Sequence, residues 1–444
     1  MDETEPGTPP DRARIGNTGE GGRRQPATRL GHHPRGNELP VSHLNLAAIL
    51  VLGAGPAQLG LLEAARARGV HVVAADRDPE APGFQLADEQ AVVSVENEEA
   101  VARLAASLRP DGLIAPGTDF PVGVAARVAD RLGIAHPLDP ATALAATSKE
   151  RQRELLAAAG VPQPRFHACA TLAEADVAAR EVGYPCIVKP PDRQGQRGLS
   201  VVAVADELPR AFAEALEVAR GDLVLVEELV AGPEVTVNAF SAEGRFHSLT
   251  ITHRVVADPP AFGVALAHVW PCGLAEDVVE RVVDAARAAA EAVGVRNGPT
   301  YTQVLVGPEG PRVVELAARL GGGHDAELCE AALGVDLNGL ALSAALGEEV
   351  ADERLRPRPE VGGACVRFLV PPVGTLERVE GVDEAEAVAG IRWVRIYRAP
   401  GAELRELHRG ADRAGAALAV GTSPEEAVAR AEAALARVRL VTSA

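Results

Sequence analysis

The segment GPTYTQVLVGPEGPRVVELAARLGGG, residues 298–323, decides how the rest of the chain is read. Two stretches rich in Val and Leu flank a Gly-Pro-rich break at 308–310, so the spacing predicts a β-hairpin turning there. Gln303 falls on its first strand, Glu315 on its second, and Arg319 follows shortly after. Oxygen ligands on adjacent strands, facing a cationic side chain, suit Mg²⁺ bridging the phosphates of a nucleotide.

A second glycine-bearing loop, VLGAGPAQLG at 51–60, follows the apolar run LAAIL. Strand, glycine pair and apolar-periodic stretch are how a dinucleotide-binding unit begins, and its fingerprint G-x-G-x-x-G uses the third glycine for close helix–strand packing. Gly53 and Gly55 fit, but the third position is Gln58; Asp76, ending VHVVAAD, stands where a ribose-binding carboxylate would. The fingerprint is incomplete. Over 46–140 the strands LAAILVLG, VHVVAAD, AVVSV and DGLIAPG alternate with the helices QLGLLEAARARG, EEAVARLAASL and FPVGVAARVADRLG. This alternation predicts an α/β domain with a parallel sheet. Ligands of such sheets sit beyond the carboxyl ends of the strands, so the loops 53–58, 76–78 and 117–119 should line one crevice.

Residues 1–45, rich in Pro, Gly, Arg and acidic residues, are expected to form a disordered arm. A helix and a link are expected over 141–165, opening a domain of 141–360 whose lid covers about 165–222. That domain holds YPCIVKPPDRQGQRGLSVVAV, the helix DELPRAFAEALEVARG, the strand LVLVEELV, a hairpin turning at 242–244 and the helix AEDVVERVVDAARAAAEAVG. Residues 361–444 read as a small C-terminal α/β lobe, with strands ACVRFLV and WVRIYRA and a last helix SPEEAVARAEAALARVR.

Composition excludes several classes of function. A formal charge of −18 argues against a nucleic-acid surface, which needs a basic field. The five cysteines are scattered with no CxxC pair, which excludes a zinc ribbon or disulfide framework and fits a reducing cytosol. No apolar run reaches membrane-spanning length and no charged-then-apolar leader opens the chain, so no membrane partner and a cytoplasmic location are expected.

The basic residues are the informative asymmetry. Of 44, only Lys149 and Lys189 are lysine. Arginine replaces lysine freely on a solvated surface, but not where a compact point charge must fit among phosphate oxygens. Lys189 enters a polar, glycine-bearing loop between two strands, of the kind that folds over phosphates with backbone N–H groups and Lys/Arg charge. Further on, Glu227, Glu228 and Glu234 flank a Gly-Pro turn, where carboxylates could meet the hydroxyls of a ribose.

Taken in order, these parts resemble the ATP-grasp superfamily over roughly residues 46–440. Lys149 stands in TSKERQR, Lys189 precedes the loop 192–198, EELV and AGPEV supply the adenine and ribose segment, and VVELAARLGG the metal-and-phosphate segment. THRVVADPPAFGVALAHVWP, with His268 and Pro271, and the Glu-Ala-rich last helix are more like L-amino acid ligases than like carboxylases related to biotin carboxylase. The resemblance implies an N-terminal lobe that helps form the carboxylate or amine site and binds no NAD. It implies ATP and Mg²⁺ (or Mn²⁺) as cofactors, with Lys149 and Lys189 on the phosphates and Gln194, Gly195 and Gly198 in the covering loop. Glu227, Glu228 and Leu229 would meet the adenine, Glu234 the ribose, Gln303 and Glu315 the metal, and Arg319 the transferring phosphoryl group. His268 and Arg254 would contact the acyl phosphate or substrate carboxylate. His324 and Asp325 would orient the amine, although Asp325 reads equally well as a helix N-cap.

Two positions depart from the family pattern. Gln303 replaces the usual first glutamate, and Ala317 stands for the asparagine of E-x-N, so a carboxylate such as Asp325 or water would have to complete the metal shell. The function implied is an ATP-dependent carboxylate–amine ligase, working through an acyl phosphate on small amino-acid-like substrates and compatible with a homodimer. A bicarbonate-using carboxylase or purine-type enzyme of the same superfamily remains open, as does a catalytically impaired nucleotide-binding protein.

Overall fold

Ala48–Leu52 (β1), buried almost throughout, begins a parallel sheet with His71–Asp76 (β2), Glu89–Val92 (β3) and Gly112–Ile114 (β4), in the order β3-β2-β1-β4. The computed structural model describes residues 47–193, 196–259 and 261–443; the expected arm 1–45 and the loop residues Gln194 and Gly195 lie outside them. The expected strand AVVSV is displaced toward the N terminus. β3 is an edge strand paired from Val73↔Glu89 to Asp76↔Val92, with exposed side chains, so apolarity did not mark its start.

The single helix expected after residue 140 is two helices, Pro140–Thr147 and Lys149–Ala158. Ser148 separates them because its backbone is extended and its hydroxyl accepts from the Arg151 N–H, capping the second helix. Lys149 therefore opens a helix.

Phe166–Cys169 (β5), Cys186–Lys189 (β6), Ser200–Val202 (β7) and Val224–Glu228 (β8) form an antiparallel sheet in the order β5-β8-β6-β7. Helices Leu172–Val182 and Leu208–Val218 bury alanine-rich faces against it. The first starts with a capping box, Thr171 and Glu174 each accepting from the other's backbone region.

The remaining strands are Glu234–Ala242 (β9), Arg245–Val256 (β10), Ala265–Trp270 (β11), Gly298–Gly307 (β12), Gly310–Ala317 (β13), Gly363–Leu369 (β14), Gly374–Glu380 (β15), Ile391–Ile396 (β16), Glu403–Leu404 (β17), Gly415–Gly421 (β18) and Arg439–Ser443 (β19). Eight of them make one sheet, β13-β12-β9-β10-β11-β14-β18-β16. Three C-terminal strands thus extend the central sheet, and only β15, β17 and β19 form a separate one. β11 was not legible as a strand, because ALAHVW is mostly buried and lacks a clean polar alternation.

The two faces of the central sheet differ in chemistry. Val235, Val237 and Ala239 of β9 pack with Val282, Ala286 and Val293 of helix Glu276–Val293. The opposite face carries polar groups in register: Glu315 lies across from Gln303, Gln303 from Thr236 and Thr236 from Thr252, while Arg254 lies across from His268. Directly opposed antiparallel residues share a face, so strand pairing alone builds this polar floor.

Candidate active site

The glycine-bearing loop at 51–60 is closed by its own chain. Gln58 donates from Nε2 to the Pro116 carbonyl at 2.5 Å, and a Cβ on Gly53 would stand 3.0 Å from the Gln58 side chain. The Asp76 carboxylate accepts from the N–H groups of Ala54 (2.9 Å) and Asp78 (3.0 Å), so it braces the loop. The tight approach that the fingerprint assigns to its third glycine occurs at Gly60, where a Cβ would lie 2.6 Å from Asn338 and Glu327 atoms. The loop joins this lobe to the helices Asp325–Leu333 and Leu337–Ala345 instead of cradling a pyrophosphate.

Both lysines reach one charge cluster. Lys149 Nζ lies 2.7 Å from Glu315 Oε1 and donates to the Arg193 carbonyl at 2.8 Å. Lys189 Nζ lies 2.7 Å from Glu227 Oε2. Burial works against the charge of Lys149, but Glu315 and Asp119 outweigh it and its pKa is raised. Lys189 goes the other way: burial, with Arg153 and Lys149 repelling it, outweighs Glu227 and lowers its pKa. It is a buried, under-compensated cation, which is the environment an added anion relieves.

Glu315 is stabilised as a carboxylate despite burial, because Lys149, Lys189 and Arg319 all act on it. Arg319 Nε donates to Asp119 Oδ1 at 2.7 Å and Nη1 to the Leu320 carbonyl at 2.9 Å; its guanidinium lies 5.5 Å from the centre of the Tyr301 ring. Asp119 belongs to the N-terminal lobe's crevice loop, so that lobe holds Arg319 in place.

Arg153 is the residue the sequence reading missed. It is 1 % exposed; its Nε and Nη2 donate to Glu227 at 2.9 and 3.3 Å, Nη1 to the Val313 carbonyl at 2.9 Å, and Nη2 to the Val314 carbonyl at 2.7 Å. Gln152 beside it exchanges two bonds with the Leu316 backbone, 2.7 and 2.8 Å. The helix that begins with Lys149 is thereby bolted to the strand bearing Glu315. Burial favours the neutral form of Glu227, but Arg153 and Lys189 overwhelm it and hold its pKa at about 2. Its carboxylate is engaged by both Arg153 and Lys189.

Glu228 accepts from Arg165 Nε at 3.2 Å, and Leu229 lies just past the end of β8. Glu234 accepts from Arg254 Nη1 at 2.7 Å. Gly198 has a φ of +76°, and a Cβ there would meet Val218 at 2.4 Å, so the turn requires glycine. Gln303 opposes Glu315, and Ala317 is buried opposite Tyr301.

His268 is expected to contact the acyl phosphate or substrate carboxylate, and its surroundings hold it neutral. Burial first, then Arg254 and Arg413, outweigh Asp325 and lower its pKa to about 4, so it is a neutral proton acceptor at pH 7. Its Nδ1 is 3.3 Å from Asp325 Oδ1, without hydrogen-bond geometry. Asp325 is not the N-cap of its helix; His324 holds that position at φ +60°. The Asp325 side chain accepts from the Gly323 N–H at 3.3 Å, and none of its hydrogen bonds goes to Gln303 or Glu315. His324 instead contacts Glu327 (3.0 Å) and Tyr397 (2.5 Å).

Among the described residues, several buried polar atoms on this floor have no hydrogen-bond partner, including Thr252 Oγ1, Asn238 Oδ1, Arg254 Nε and His268 Nδ1. Such orphans mark a surface completed by a ligand. No cluster of three or more His, Cys, Asp or Glu able to hold a metal occurs among the described residues. One carboxylate and one amide oxygen, Glu315 and Gln303, still suit Mg²⁺, which keeps waters and takes its other ligands from substrate phosphates.

The chain is similar to known proteins over most of its length. The family model of the ATP-grasp domain matches residues 182–327, and that of the L-amino acid ligase C-terminal domain 2 matches 367–443. An uncharacterized protein, y4rH, of Sinorhizobium fredii is 30% identical over 416 residues, covering 90% of this chain and 84% of that one. The formate-dependent phosphoribosylglycinamide formyltransferase of Burkholderia pseudomallei is 27% identical, covering 89% and 96% respectively. The crystal structure of the L-amino acid ligase from Bacillus licheniformis superposes with a TM-score of 0.77 at 21% identity, covering 90% of this chain and 99% of the ligase. The chain belongs to the ATP-grasp family. Its C-terminal segment is of the L-amino acid ligase type. No helix among the described residues is long and apolar enough to cross a membrane.

Proposed function

We propose that the chain joins a small carboxylic acid to an amine through an acyl phosphate, releasing ADP and phosphate. The observation that carries this reading is the meeting of Lys149, Lys189, Glu315 and Arg319, drawn from a helix, the lid sheet and the central hairpin, in one charge cluster. In the first step a carboxylate oxygen attacks the γ-phosphorus and the bond to the β–γ bridging oxygen breaks. In the second the amine nitrogen attacks the acyl carbon, the carbon–oxygen bond to phosphate breaks, and the nitrogen loses a proton.

Each residue has a part in that sequence. Lys149 and Lys189 hold the phosphates, with Gly198 in the covering loop; the backbone of 227–229 borders the adenine and Glu234 the ribose. Glu315 and Gln303 would hold Mg²⁺, which would supply neutralisation of phosphate charge. Arg319 neutralises the phosphoryl group in flight, and Arg254 supports the acyl phosphate. Neutral His268 takes the proton from the amine. Phosphoryl transfer needs positioning and charge neutralisation more than covalent help, and that is what this cleft offers.

ADP is expected to appear only when a suitable acid and amine are both present, and AMP formation would rule the mechanism out. Lys189→Ala should lower turnover by about 10²-fold or more, since it removes a pre-formed charge at the phosphates; an unimpaired variant would remove Lys189 from the site. The role given to His268 has its own signature in the pH profile. Because only the neutral imidazole accepts a proton, the acid limb of kcat/KM due to this group should lie near pH 4, and a limb near 6.5 would contradict its buried, neutral state.

A second reading follows from the Burkholderia relative, whose acid is formate and whose match runs over nearly its whole length. Formate, bicarbonate and phosphoribosylglycinamide therefore belong in the screen. Turnover with formate and that amine, but with no amino acid, would move the assignment there.

A further inference from the structure

Around the cleft, buried cations are paired with carboxylates. Lys149 has Glu315, Lys189 and Arg153 share Glu227, Arg254 has Glu234, and Arg319 has Asp119. Arg413 breaks the pattern. It stands just before β18, and among the described residues it has no ion pair and no side-chain hydrogen bond. Its Nε is buried and unpartnered. Its guanidinium lies over Phe368, 3.7 Å from the ring centre, and the edge of His268 meets the same ring with centroids 5.9 Å apart. Burial, reinforced by the charge of Arg254, pushes the Arg413 pKa down to about 10. Stacking on an aromatic face steadies a guanidinium but leaves its in-plane N–H groups unsatisfied. A half-buried arginine kept in this state is completed by a planar anion that accepts from its edge.

The anion this site takes is not the one being activated. The group under attack has to lie by Glu315 and Arg319, whereas Arg413 shares Phe368 with the neutral imidazole assigned to the amine. Resting on the ligase reading above, we propose that Arg413 binds a second, unreactive carboxylate carried by one of the two substrates. Arg413 is then a specificity residue, and the enzyme selects for that extra carboxylate. The carboxylate has two possible bearers, the amine or a dicarboxylic acid.

Kinetics with matched substrates test this. ADP release is measured for the twenty protein amino acids against their α-amides as amines, and for succinate against butyrate as acids, with wild type and Arg413→Met. The wild type should favour the free carboxylate over its neutral analogue by about 10- to 100-fold in kcat/KM in one arm, and the arm identifies the bearer. In Arg413→Met that ratio should collapse to within about threefold, while the KM for ATP, which reports an intact fold, stays within about twofold. Arg413→Lys should recover part of the discrimination. A wild-type ratio near one in both arms, or an Arg413→Met enzyme that keeps the ratio, overturns the proposal. Either result leaves the ligase reading standing, since that reading fails only if no acid and amine pair releases ADP.

Discussion

Arg319→Ala is expected to lower kcat by about 10³-fold or more while changing the KM for ATP far less. The side chain is not a surface cation. Asp119 from the N-terminal lobe and the Leu320 carbonyl fix its fork, and Tyr301 lies beside it. In the proposed mechanism it is pre-positioned to meet charge that develops only as the phosphoryl group moves, and such contacts appear in kcat. Arg319→Lys should remain well below wild type, because an ammonium keeps the charge but loses the planar fork. Asp119→Asn should fall between, since it loosens the position of Arg319 without removing it. Steady-state ADP release measures all three. If Arg319→Ala stays within tenfold of wild type, this guanidinium does not touch the transferred group.

The second large effect is on stability. Arg153→Ala should cost about 3–5 kcal/mol, because it strands a buried carboxylate with one remaining partner and leaves the Val313 and Val314 carbonyls without their donor. The measurement is the urea midpoint, with Arg151→Ala as the control. Arg151 is 61% exposed and, among the described residues, pairs only with Glu154 one helical turn away, so its loss should change stability by less than about 0.5 kcal/mol. Similar midpoints for the two variants would mean that the Arg153–Glu227–Lys189 network does not hold the lid sheet to the central sheet.

The contrast between these two arginines shows what the sequence could and could not tell. The two lysines were legible because the rest of the chain uses arginine for its basic residues, which made each lysine an exception needing a reason. Glu315 and Gln303 were legible because a hairpin fixes its own pairing, and the register places them opposite each other. Arg153 was not legible. It is one of 42 arginines in a polar helix, and its importance arises only where that helix meets β8 and β13. Arg413 was hidden for the same reason, since its lack of a partner is a property of the assembled cleft. The neutrality of His268 likewise depends on burial between Asp325 and Arg254, contributed by separate elements.

The fold divides along similar lines. The alternating N-terminal sheet and the two hairpins announced themselves through periodicity and turn residues. The merger of β14, β16 and β18 with the central sheet did not, because strand order between distant segments leaves no local mark. Even the incomplete glycine fingerprint makes sense in retrospect. Gln58 fills the loop, Asp76 braces it, and the glycine that permits close packing is Gly60.

The account stands or falls on whether a carboxylate oxygen attacks the γ-phosphorus in this cleft. Turnover of an acid labelled with ¹⁸O in both carboxylate oxygens tests that step without reference to any residue. The account predicts one labelled oxygen in the inorganic phosphate released with ADP, and the other retained in the amide. Label appearing in AMP, or unlabelled phosphate accompanying amide formation, would contradict it.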